Sequence, residues 1–363
     1  MNDKIVRNIS DDTLNIVLSK LNPEFIQELP VSPKELLKYA TRRTDPVISE
    51  NITYSLGQSM LSHRLSDEDY LMAFFQAVHT SFYGKKNDTN GKQAVILVSQ
   101  TGAGKTNLSS LILKQNPNTV IINPDLYKKF NPRLPEILRE DPTHVGALTG
   151  IDSYDHANNI RNFAIEKGYS LLFECAPSQK QGLLGIDLKE LEEHGYSTQF
   201  HIMSVGNLIS SMAIHYRYEK AINENPNSCD VKLTDLSRHD DSYKGVETVI
   251  RMISPDKISI YRRGLESEQY TPQEITSKAN NSKLSQEEII QILAKERENS
   301  NRNYIFNAKN NFQEDFNKIK TSMELRKAPE AQFNQLNEIY NRYINYLNYI
   351  KYKENNGFDF TDM

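Results

Sequence analysis

Short apolar runs alternate with amphipathic segments through the middle of the chain. The apolar runs occupy residues 94–98, 120–122, 169–173, 197–203 and 257–261. Runs of this kind, separated by helical patterns, are typical of parallel strands whose two faces are covered by helices. The pattern therefore predicts an α/β fold built on a parallel sheet.

Helical patterns flank this region on both sides. Before it, Ser32 and Ser66 each stand three positions ahead of an acidic residue, as at the start of a capped helix. After it, Ser285 begins a similar signal, and a tyrosine stripe follows at residues 340, 343, 346 and 349. Aromatic side chains at helical spacing usually form core, so we expect the stripe to pack against the fold; binding of a partner is the alternative. We divide the chain into a helical region at 1–90, an α/β domain at 91–268 and a second helical region at 269–363.

Composition narrows the possible functions. The chain has 363 residues, of which 38% are hydrophobic and 25% charged, and its formal net charge is −4. A weakly acidic chain has no general attraction to nucleic acid or anionic membranes, so we expect neither as a partner. Cys175 and Cys229 form no CxxC pair, which disfavours a zinc site or a disulfide framework. The N-terminus lacks a signal-peptide core, and no apolar stretch approaches the ~18 residues of a membrane helix, so a cytoplasmic location is expected.

A glycine-rich segment directly follows the first apolar run. The segment SQTGAGKT, residues 99–106, stands between a predicted strand and a predicted helix at 107–114, which is the context of a phosphate-binding loop. Three backbone amides at the start of that helix are expected to bind phosphate oxygens, those of Gly102, Ala103 and Gly104. Lys105 is expected to reach the β- and γ-phosphates of a nucleoside triphosphate, and Thr106 to bind Mg²⁺ through its hydroxyl. Ser99 replaces the first glycine of the usual pattern.

Two acidic residues follow the next strands. Asp125 comes shortly after the run at 120–122, and Glu174 directly follows the run at 169–173. Ligands of α/β sheets bind at the carboxyl ends of the strands. Asp125 is therefore a candidate base for the proton of a substrate hydroxyl, with capping of the next helix as the alternative. Glu174 is a candidate ligand of Mg²⁺ or of the substrate.

Two cations lie further along the chain. Arg217 falls on a helical pattern, and Lys232 lies in the loop after Cys229. Either side chain is suited to neutralise triphosphate charge in a transition state. The alternative for each is a solvated surface cation.

Together these segments resemble the zeta-toxin family of bacterial toxin–antitoxin systems. The resemblance covers about 92–265 and rests on the loop and on five later segments in order, INPDLYKKFNP (122–132), GYSLLFE (168–174), RYE (217–219), KLTDLSRHD (232–240) and ISIYRRG (258–264). It implies a phosphate-loop, kinase-type parallel sheet sandwiched by helices, here with helical N- and C-terminal extensions. It also implies transfer of the γ-phosphoryl group of ATP or GTP to a small-molecule hydroxyl. The best-known members phosphorylate the 3′-hydroxyl of UDP-N-acetylglucosamine and so block cell-wall synthesis.

The resemblance assigns roles to individual residues. Asp125 matches the catalytic base, and Lys105 matches the lysine of the loop. Arg217 matches the first of two arginines on the nucleotide phosphates. Lys232 stands in the place of the second arginine, where it keeps the charge but loses bidentate geometry. Glu174 matches an acid at the sugar-nucleotide site.

Departures from the family pattern gather on the substrate side. Ala176 stands where a small polar residue is expected, and residues 178–180 lack the expected arginine. Asn158 occupies the place of an acid in the substrate-binding part of the site, and Asn131 that of a histidine. The resemblance therefore supports phosphoryl transfer more strongly than it supports UDP-N-acetylglucosamine as acceptor. Another nucleotide such as NAD is an alternative acceptor, and a nucleotide-binding switch or scaffold with weakened catalysis is an alternative function.

The resemblance also implies a partner. Members of the family are often restrained by a small helical antitoxin that covers the nucleotide site. A helical antitoxin is therefore a candidate partner. We expect residues 1–90 to be a structural extension, with a fused inhibitory element as the alternative.

Overall fold

Six strands and the helices around them account for most of the chain that the structure describes. The computed structural model describes residues 6–41, 43, 54–88, 91–141, 144–180, 182–183, 186–224, 233–252, 255–264, 268, 270–279, 285–307 and 311–356. None of the helices in these ranges is both long enough and apolar enough to cross a membrane.

The N-terminal region is helical, as the sequence predicts. Its helices are α1 (Asp11–Lys20), α2 (Pro23–Gln27), α3 (Pro33–Leu37), α4 (Tyr54–Ser62) and α5 (Asp67–Phe82). The side chains of Ser32 and Ser66 accept hydrogen bonds from the backbone amides of Glu35 and Asp69. The two predicted helix starts are therefore confirmed, because a capping side chain satisfies an amide that has no partner within the helix.

The middle region alternates strands with helices. Its elements are β1 (Gln93–Val98), α6 (Lys105–Gln115), β2 (Val120–Ile122), a 3₁₀ helix (Pro124–Phe130), α7 (Leu134–Glu140), α8 (Val145–Leu148), α9 (Gly150–Lys167), β3 (Leu171–Cys175), α10 (Leu188–Glu193), β4 (Ser197–Met203), α11 (Asn207–Glu224), α12 (Leu236–Met252), β5 (Lys257–Arg262) and β6 (Gln273–Ala279). All five predicted strands are present; β3 begins two residues later than predicted. The predicted α/β fold is confirmed.

The described strands form one sheet in the order β2-β3-β1-β4-β5-β6. β2 pairs with β3 and β4 with β5 in parallel registers, for example Val120 opposite Leu171 and Phe200 opposite Ile258. The chain moves from β1 to one side of the sheet and later returns to the other side. In open α/β sheets, ligands bind at the carboxyl ends of the strands next to such a reversal, and residues 99–106 follow the carboxyl end of β1.

Strand β6 corrects the sequence prediction, which placed only helix beyond residue 270. β6 pairs antiparallel with β5 at the edge of the sheet. Its sequence, QEITSKA, contains a single large aliphatic residue, Ile275. An edge strand with one solvated face does not need a continuous apolar run, and polar side chains there discourage pairing with other chains. The apolar pattern therefore left this strand undetected.

Three helices form the C-terminal region, α13 (Gln286–Phe306), α14 (Phe312–Leu325) and α15 (Glu330–Asn355). The predicted capping box at Ser285 is complete, with Glu288 as its partner. The predicted packing of the tyrosine stripe is confirmed for Tyr340, Tyr343 and Tyr346, which lie against a buried apolar cluster, but not for Tyr349, which is 48% exposed. That cluster includes residues of α11, α12, α14 and α15, namely Leu208, Met212, Leu236, Phe312, Phe316, Ile319, Met323, Leu336 and Ile339.

The chain divides into two compact units. The first comprises Met1–Ala94, Asn116–Phe173 and Lys189–Ser197, and the second comprises Val95–Gln115, Glu174–Leu188 and Thr198–Met363. Within the first unit, Arg7 donates to Asp152 over 3.1 Å and Arg64 to Asp155 over 3.3 Å, joining the N-terminal region to α9 through buried charges. The division into regions at 1–90, 91–268 and 269–363 remains a prediction about independent domains.

Candidate functional site

The glycine-rich loop connects the end of β1 to the start of α6, as predicted. Gly102 and Gly104 have φ angles of +77° and +95°. Only glycine adopts such angles without strain. Among the described residues other than glycine, positive φ angles occur only at Tyr270 and Lys327. Ser99 therefore begins the loop with an ordinary backbone angle, and its replacement of the usual glycine introduces no backbone strain.

The two glycines differ in the space around them. A β-carbon on Gly102 would lie 2.0 Å from the carbonyl oxygen of Ser210 on α11. A β-carbon on Gly104 would find its nearest neighbour, the Met203 methyl group, 4.0 Å away. Gly102 is thus required by backbone angle and by close packing, whereas Gly104 is required by backbone angle alone.

We expect Gly102→Ala to destabilise the protein more than Gly104→Ala. The strain of a positive φ angle costs roughly 1–2 kcal/mol in both variants, and the contact with Ser210 adds to it only in the first. Urea denaturation measures the difference. Gly150→Ala is the matched control, since Gly150 has an open environment within α9 and no positive φ angle, so that alanine is expected to be neutral or slightly stabilising. Equal losses for Gly102→Ala and Gly104→Ala would contradict the close approach of α11.

Lys105 is the first residue of α6, and its ammonium group turns back into the loop. It donates to the carbonyl oxygens of Ser99 and Gln100 over 2.9 and 3.0 Å. The pKa of Lys105 is lowered to about 8, mainly by burial and also by the nearby guanidinium groups of Arg217 and Arg238, while the carboxylate of Glu174 opposes the shift. The loop therefore holds a cation that is only partly compensated, at the N-terminus of a helix whose dipole also favours anions.

Glu174 lies in the same unit as the loop, near the end of β3. Its carboxylate accepts a hydrogen bond from the hydroxyl of Ser109 on α6 and raises the pKa of Lys105. The residue is half-buried. An acid held beside the loop lysine in this way is suited to orient a ligand or a hydrated cation.

Two arginines lie close enough to Lys105 to influence its charge. Arg217, which the sequence predicts to contact the phosphates, is exposed on α11. Arg238 on α12 was not assigned a role from the sequence. It donates to the carbonyl oxygens of Ala176 and Pro177, over 2.6 and 3.1 Å, and so fixes the segment after β3. Arg238 belongs to the segment KLTDLSRHD (232–240), which was the available signal. Sequence spacing could not show which groups its side chain contacts.

Thr106 is the loop residue predicted to bind Mg²⁺. The described residues contain no group of three or more His, Cys, Asp or Glu side chains able to hold a metal. Mg²⁺ in nucleotide sites usually keeps several waters and binds the phosphates, so one or two protein ligands suffice. Thr106 is exposed in the first turn of α6, which suits the single hydroxyl ligand predicted for it.

The remaining predicted residues are Asp125, Asn158 and Lys232. Asp125 and Asn158 belong to the first compact unit, whereas Lys105, Glu174 and Arg217 belong to the second. Asn158 is on α9 and donates to the carbonyl oxygen of its own helix at Tyr154, over 2.8 Å. Lys232 falls outside the residues that the structure describes.

Asp125 lies in the 3₁₀ helix that follows β2. Its side chain is 75% exposed and forms an ion pair with Lys128 at 2.5 Å. The capping interpretation of Asp125 is wrong, because Asn123 is the N-cap and accepts the hydrogen bond from the Asp125 amide. The carboxylate is thus not needed to begin the helix and is open to solvent.

Comparison with known proteins places the chain among the zeta toxins. A family model described as zeta toxin matches residues 80–275. The toxin zeta proteins of Enterococcus hirae and Streptococcus pyogenes are each 25% identical to this chain over 223 residues, which is 56% of this chain and 74% of each relative.

A solved structure shows the same fold. It comes from the PezAT chromosomal toxin–antitoxin system of Streptococcus pneumoniae, and its TM-score with this chain is 0.50 at 19% sequence identity. The match covers 66% of this chain and 98% of the other. The phosphate-loop fold predicted from the sequence is therefore confirmed.

Proposed function

We propose that this chain, which belongs to the zeta-toxin family, is a phosphotransferase that moves the γ-phosphoryl group of ATP or GTP to a hydroxyl group of a small molecule. The observation that carries the proposal is the loop of residues 99–106, which holds the Lys105 ammonium group on the carbonyl oxygens of Ser99 and Gln100 just before the start of α6. Arg217 lowers the pKa of the same lysine, and Glu174 raises it. A cation and a helix N-terminus in one loop favour a polyphosphate over a neutral ligand.

The residues of the second unit serve the donor nucleotide in this proposal. The amides of residues 102–104 bind phosphate oxygens, and Lys105 neutralises charge on the β- and γ-phosphates. Arg217 stabilises the charge that the transferring phosphoryl group carries in the transition state. Mg²⁺ supplies further charge neutralisation when bound with the nucleotide, and Thr106 is the residue that would hold it.

The acceptor side rests on Asp125, Glu174 and Asn158. Asp125 accepts the proton of the acceptor hydroxyl as its oxygen attacks the γ-phosphorus, a role that suits a solvent-open carboxylate at the carboxyl end of a strand. Glu174 and Asn158 bind the acceptor. Ala176 offers no side-chain hydrogen bond, and its carbonyl oxygen already accepts one from Arg238. UDP-N-acetylglucosamine is one candidate acceptor and NAD another.

The proposal also includes a toxin role with a helical antitoxin as partner. Two relatives are named toxin zeta, and the structural neighbour belongs to a toxin–antitoxin system. The N-terminal region shares buried ion pairs with α9, through Arg7 with Asp152 and Arg64 with Asp155. Buried charges of this kind are costly to separate, which favours a structural role for residues 1–90 over a detachable inhibitor.

Nucleotide binding is expected to weaken above pH 8. Because burial lowers the pKa of Lys105 to about 8, its ammonium group loses its proton in the free protein as the pH rises through that value. A bound triphosphate favours the charged form, so binding must then take up a proton. Kd is expected to be flat between pH 7 and 8 and to rise about tenfold per pH unit above that, which corresponds to ~1.4 kcal/mol per unit.

Titration calorimetry with ATP and with GTP between pH 7 and 9.5 measures this profile. The second ionisation of a phosphate monoester lies near pH 6 and so falls below the window. Lys105→Arg is the control, since its guanidinium stays protonated throughout and the inflection should disappear. An inflection near pH 8 that persists in Lys105→Arg would assign the titration to another group.

Phosphoryl transfer itself is tested with γ-labelled ATP and γ-labelled GTP and a panel of nucleotide sugars and dinucleotides. The proposal predicts label on one acceptor class, in preference to release as inorganic phosphate. Tight nucleotide binding with no labelled acceptor from any class would instead support the nucleotide-binding switch.

A further inference from the structure

A continuous line of hydrogen bonds joins the last helix to the phosphate loop. Arg342 on α15 donates from both terminal nitrogens to the two carboxylate oxygens of Asp240, each over 2.8 Å. Asp240 lies 3.2 Å from Nδ1 of His239, and Nε2 of His239 lies 2.8 Å from the hydroxyl of Ser210. Ser210 in turn lies 3.2 Å from the side-chain nitrogen of Gln100, the second residue of the loop. All of these residues belong to the second compact unit.

The direction of each hydrogen bond follows from its neighbours. Burial lowers the pKa of His239, so its ring is neutral near pH 7 and carries one N–H. The carboxylate of Asp240 only accepts, which places that N–H on Nδ1 and leaves Nε2 as an acceptor. The single proton of the Ser210 hydroxyl is within reach of Nε2 and of the carbonyl oxygens of Gly206 and Asn207, at 2.8, 2.9 and 3.3 Å. Because the Gly206 carbonyl already accepts from the Ser210 amide, donation to Nε2 leaves both acceptors satisfied. The Ser210 oxygen then accepts from Gln100. A second hydrogen bond supports this direction, because the side-chain nitrogen of Gln100 also donates to the carbonyl oxygen of Val205 over 2.7 Å.

The backbone of the loop contacts Ser210 directly and His239 through Ser242. The carbonyl oxygen of Gln100 accepts one of the hydrogen bonds from Lys105. The amide of Thr101 donates to the hydroxyl of Ser242, which itself donates to the His239 carbonyl. Gly102 packs against the carbonyl of Ser210. A shift of His239 or Ser210 would therefore reach the atoms that orient the loop lysine.

The Ser210, His239 and Asp240 side chains share the order of a nucleophilic triad, but they are not placed for that chemistry. Ser210 and His239 are fully buried, and the Ser210 hydroxyl also lies 2.9 Å from the carbonyl oxygen of Gly206 within α11. A nucleophile needs access to its substrate. The arrangement is instead suited to fix the relative positions of α11, α12 and the loop.

We propose that Arg342 is a positioning residue for the phosphate loop, and that through it the C-terminal helices set the affinity of the loop for nucleotide. Arg342 lies beyond residues 80–275, the part of the chain that the family model matches, so the proposal adds a requirement outside that region. It rests on the proposed function only in assuming that the loop binds a nucleoside triphosphate. Its physical basis is that a bidentate ion pair holds the Asp240 carboxylate in one orientation, which fixes the tautomer of His239 and so the donor direction of Ser210.

The test compares ATP and GTP binding by the full chain and by Arg342→Gln. We expect Kd to rise about tenfold, as is common when a residue that orients a ligand-binding group is removed. Glu338→Gln is the matched control, because Glu338 pairs with the same guanidinium at 2.5 Å but stands outside the line to the loop. The Kd of Glu338→Gln should stay within about twofold of wild type. Arg342→Lys keeps the charge without the bidentate geometry, so its Kd should lie between those of Glu338→Gln and Arg342→Gln.

A double-variant cycle separates positioning from general loss of stability. Ser210→Ala breaks the line at a second point, so Ser210→Ala and Arg342→Gln together should weaken binding no more than the stronger single change. Should Arg342→Gln fail to fold, Asp240→Asn takes its place in the cycle. Wild-type affinity in Arg342→Gln, or two losses that multiply, would overturn the inference.

Lys105→Ala in the same titration keeps the two proposals distinguishable. If wild type binds, Lys105→Ala does not and Arg342→Gln binds like wild type, the positioning role fails and the nucleotide site stands. If wild type itself binds neither ATP nor GTP, both fail.

Discussion

Asp125→Asn is expected to lower phosphoryl transfer by about 10²- to 10⁴-fold while nucleotide affinity stays close to that of wild type. Asparagine has the shape of aspartate but cannot accept a proton, so the attacking hydroxyl loses its base. The Asp125 side chain is 75% exposed, and Asn123 provides the cap of its helix, so we expect the fold to be unaffected. Single-turnover transfer with γ-labelled nucleotide and calorimetric binding measure the two quantities separately.

Lys128→Gln is the matched control for this variant. It removes the ion-pair partner of Asp125 but leaves the carboxylate in place. Transfer should then remain within a few fold of wild type. If Asp125→Asn and Lys128→Gln lower transfer equally, the ion pair and not proton acceptance is what matters at this position.

Lys105→Ala is expected to lower kcat/KM for nucleotide by about 100-fold or more. The ammonium group is the cation held inside the loop, and removal of one preorganised donor from a developing anion typically costs 10²- to 10³-fold. Steady-state transfer at several nucleotide concentrations measures the loss. The variant also removes a partly desolvated charge, so we expect its melting temperature to equal or exceed that of wild type.

A lower melting temperature in Lys105→Ala would contradict the idea that this charge is costly in the free protein. Lys114→Ala is a suitable control, since Lys114 lies in the last turn of the same helix, away from the loop. It should leave both transfer and binding unchanged.

The central strands could be predicted from the sequence because burial on both faces leaves a continuous apolar signature. β4 was predicted at its observed bounds, Ser197–Met203, and β1 within one residue. The same logic failed for β6, whose polar sequence reflects its place at the sheet edge. Helix starts at Ser66 and Ser285 were predictable because capping is a local interaction between residues three apart.

The conformation of the glycine-rich loop was predictable to a similar extent. The loop depends on local backbone angles, and glycine at 102 and 104 reports them directly in the sequence. Arg238 was missed because its hydrogen bond to the segment after β3 depends on how α12 packs, which no local pattern encodes. The line of hydrogen bonds from Arg342 to Gln100 could not be predicted for the same reason. It joins residues 242 positions apart (342 minus 100) through side chains of three helices.

The residue that caps the 3₁₀ helix could not be predicted from the sequence for a different reason. Asn123 and Asp125 are both good capping residues, and they stand two positions apart. Only the backbone conformation decides between them, and it assigns the cap to Asn123. The Asp125 carboxylate is therefore not used as a cap. The sequence alone left a catalytic base and a helix cap as two alternative interpretations of this residue.

Equilibrium binding of ATP and GTP to wild type and to Lys105→Ala tests the central claim most directly. We predict measurable binding of at least one of the two nucleotides by wild type near pH 7.5, and a loss of about 100-fold in affinity for Lys105→Ala with the fold retained. Unchanged affinity in a folded Lys105→Ala protein would contradict the assignment of residues 99–106 as the nucleotide site.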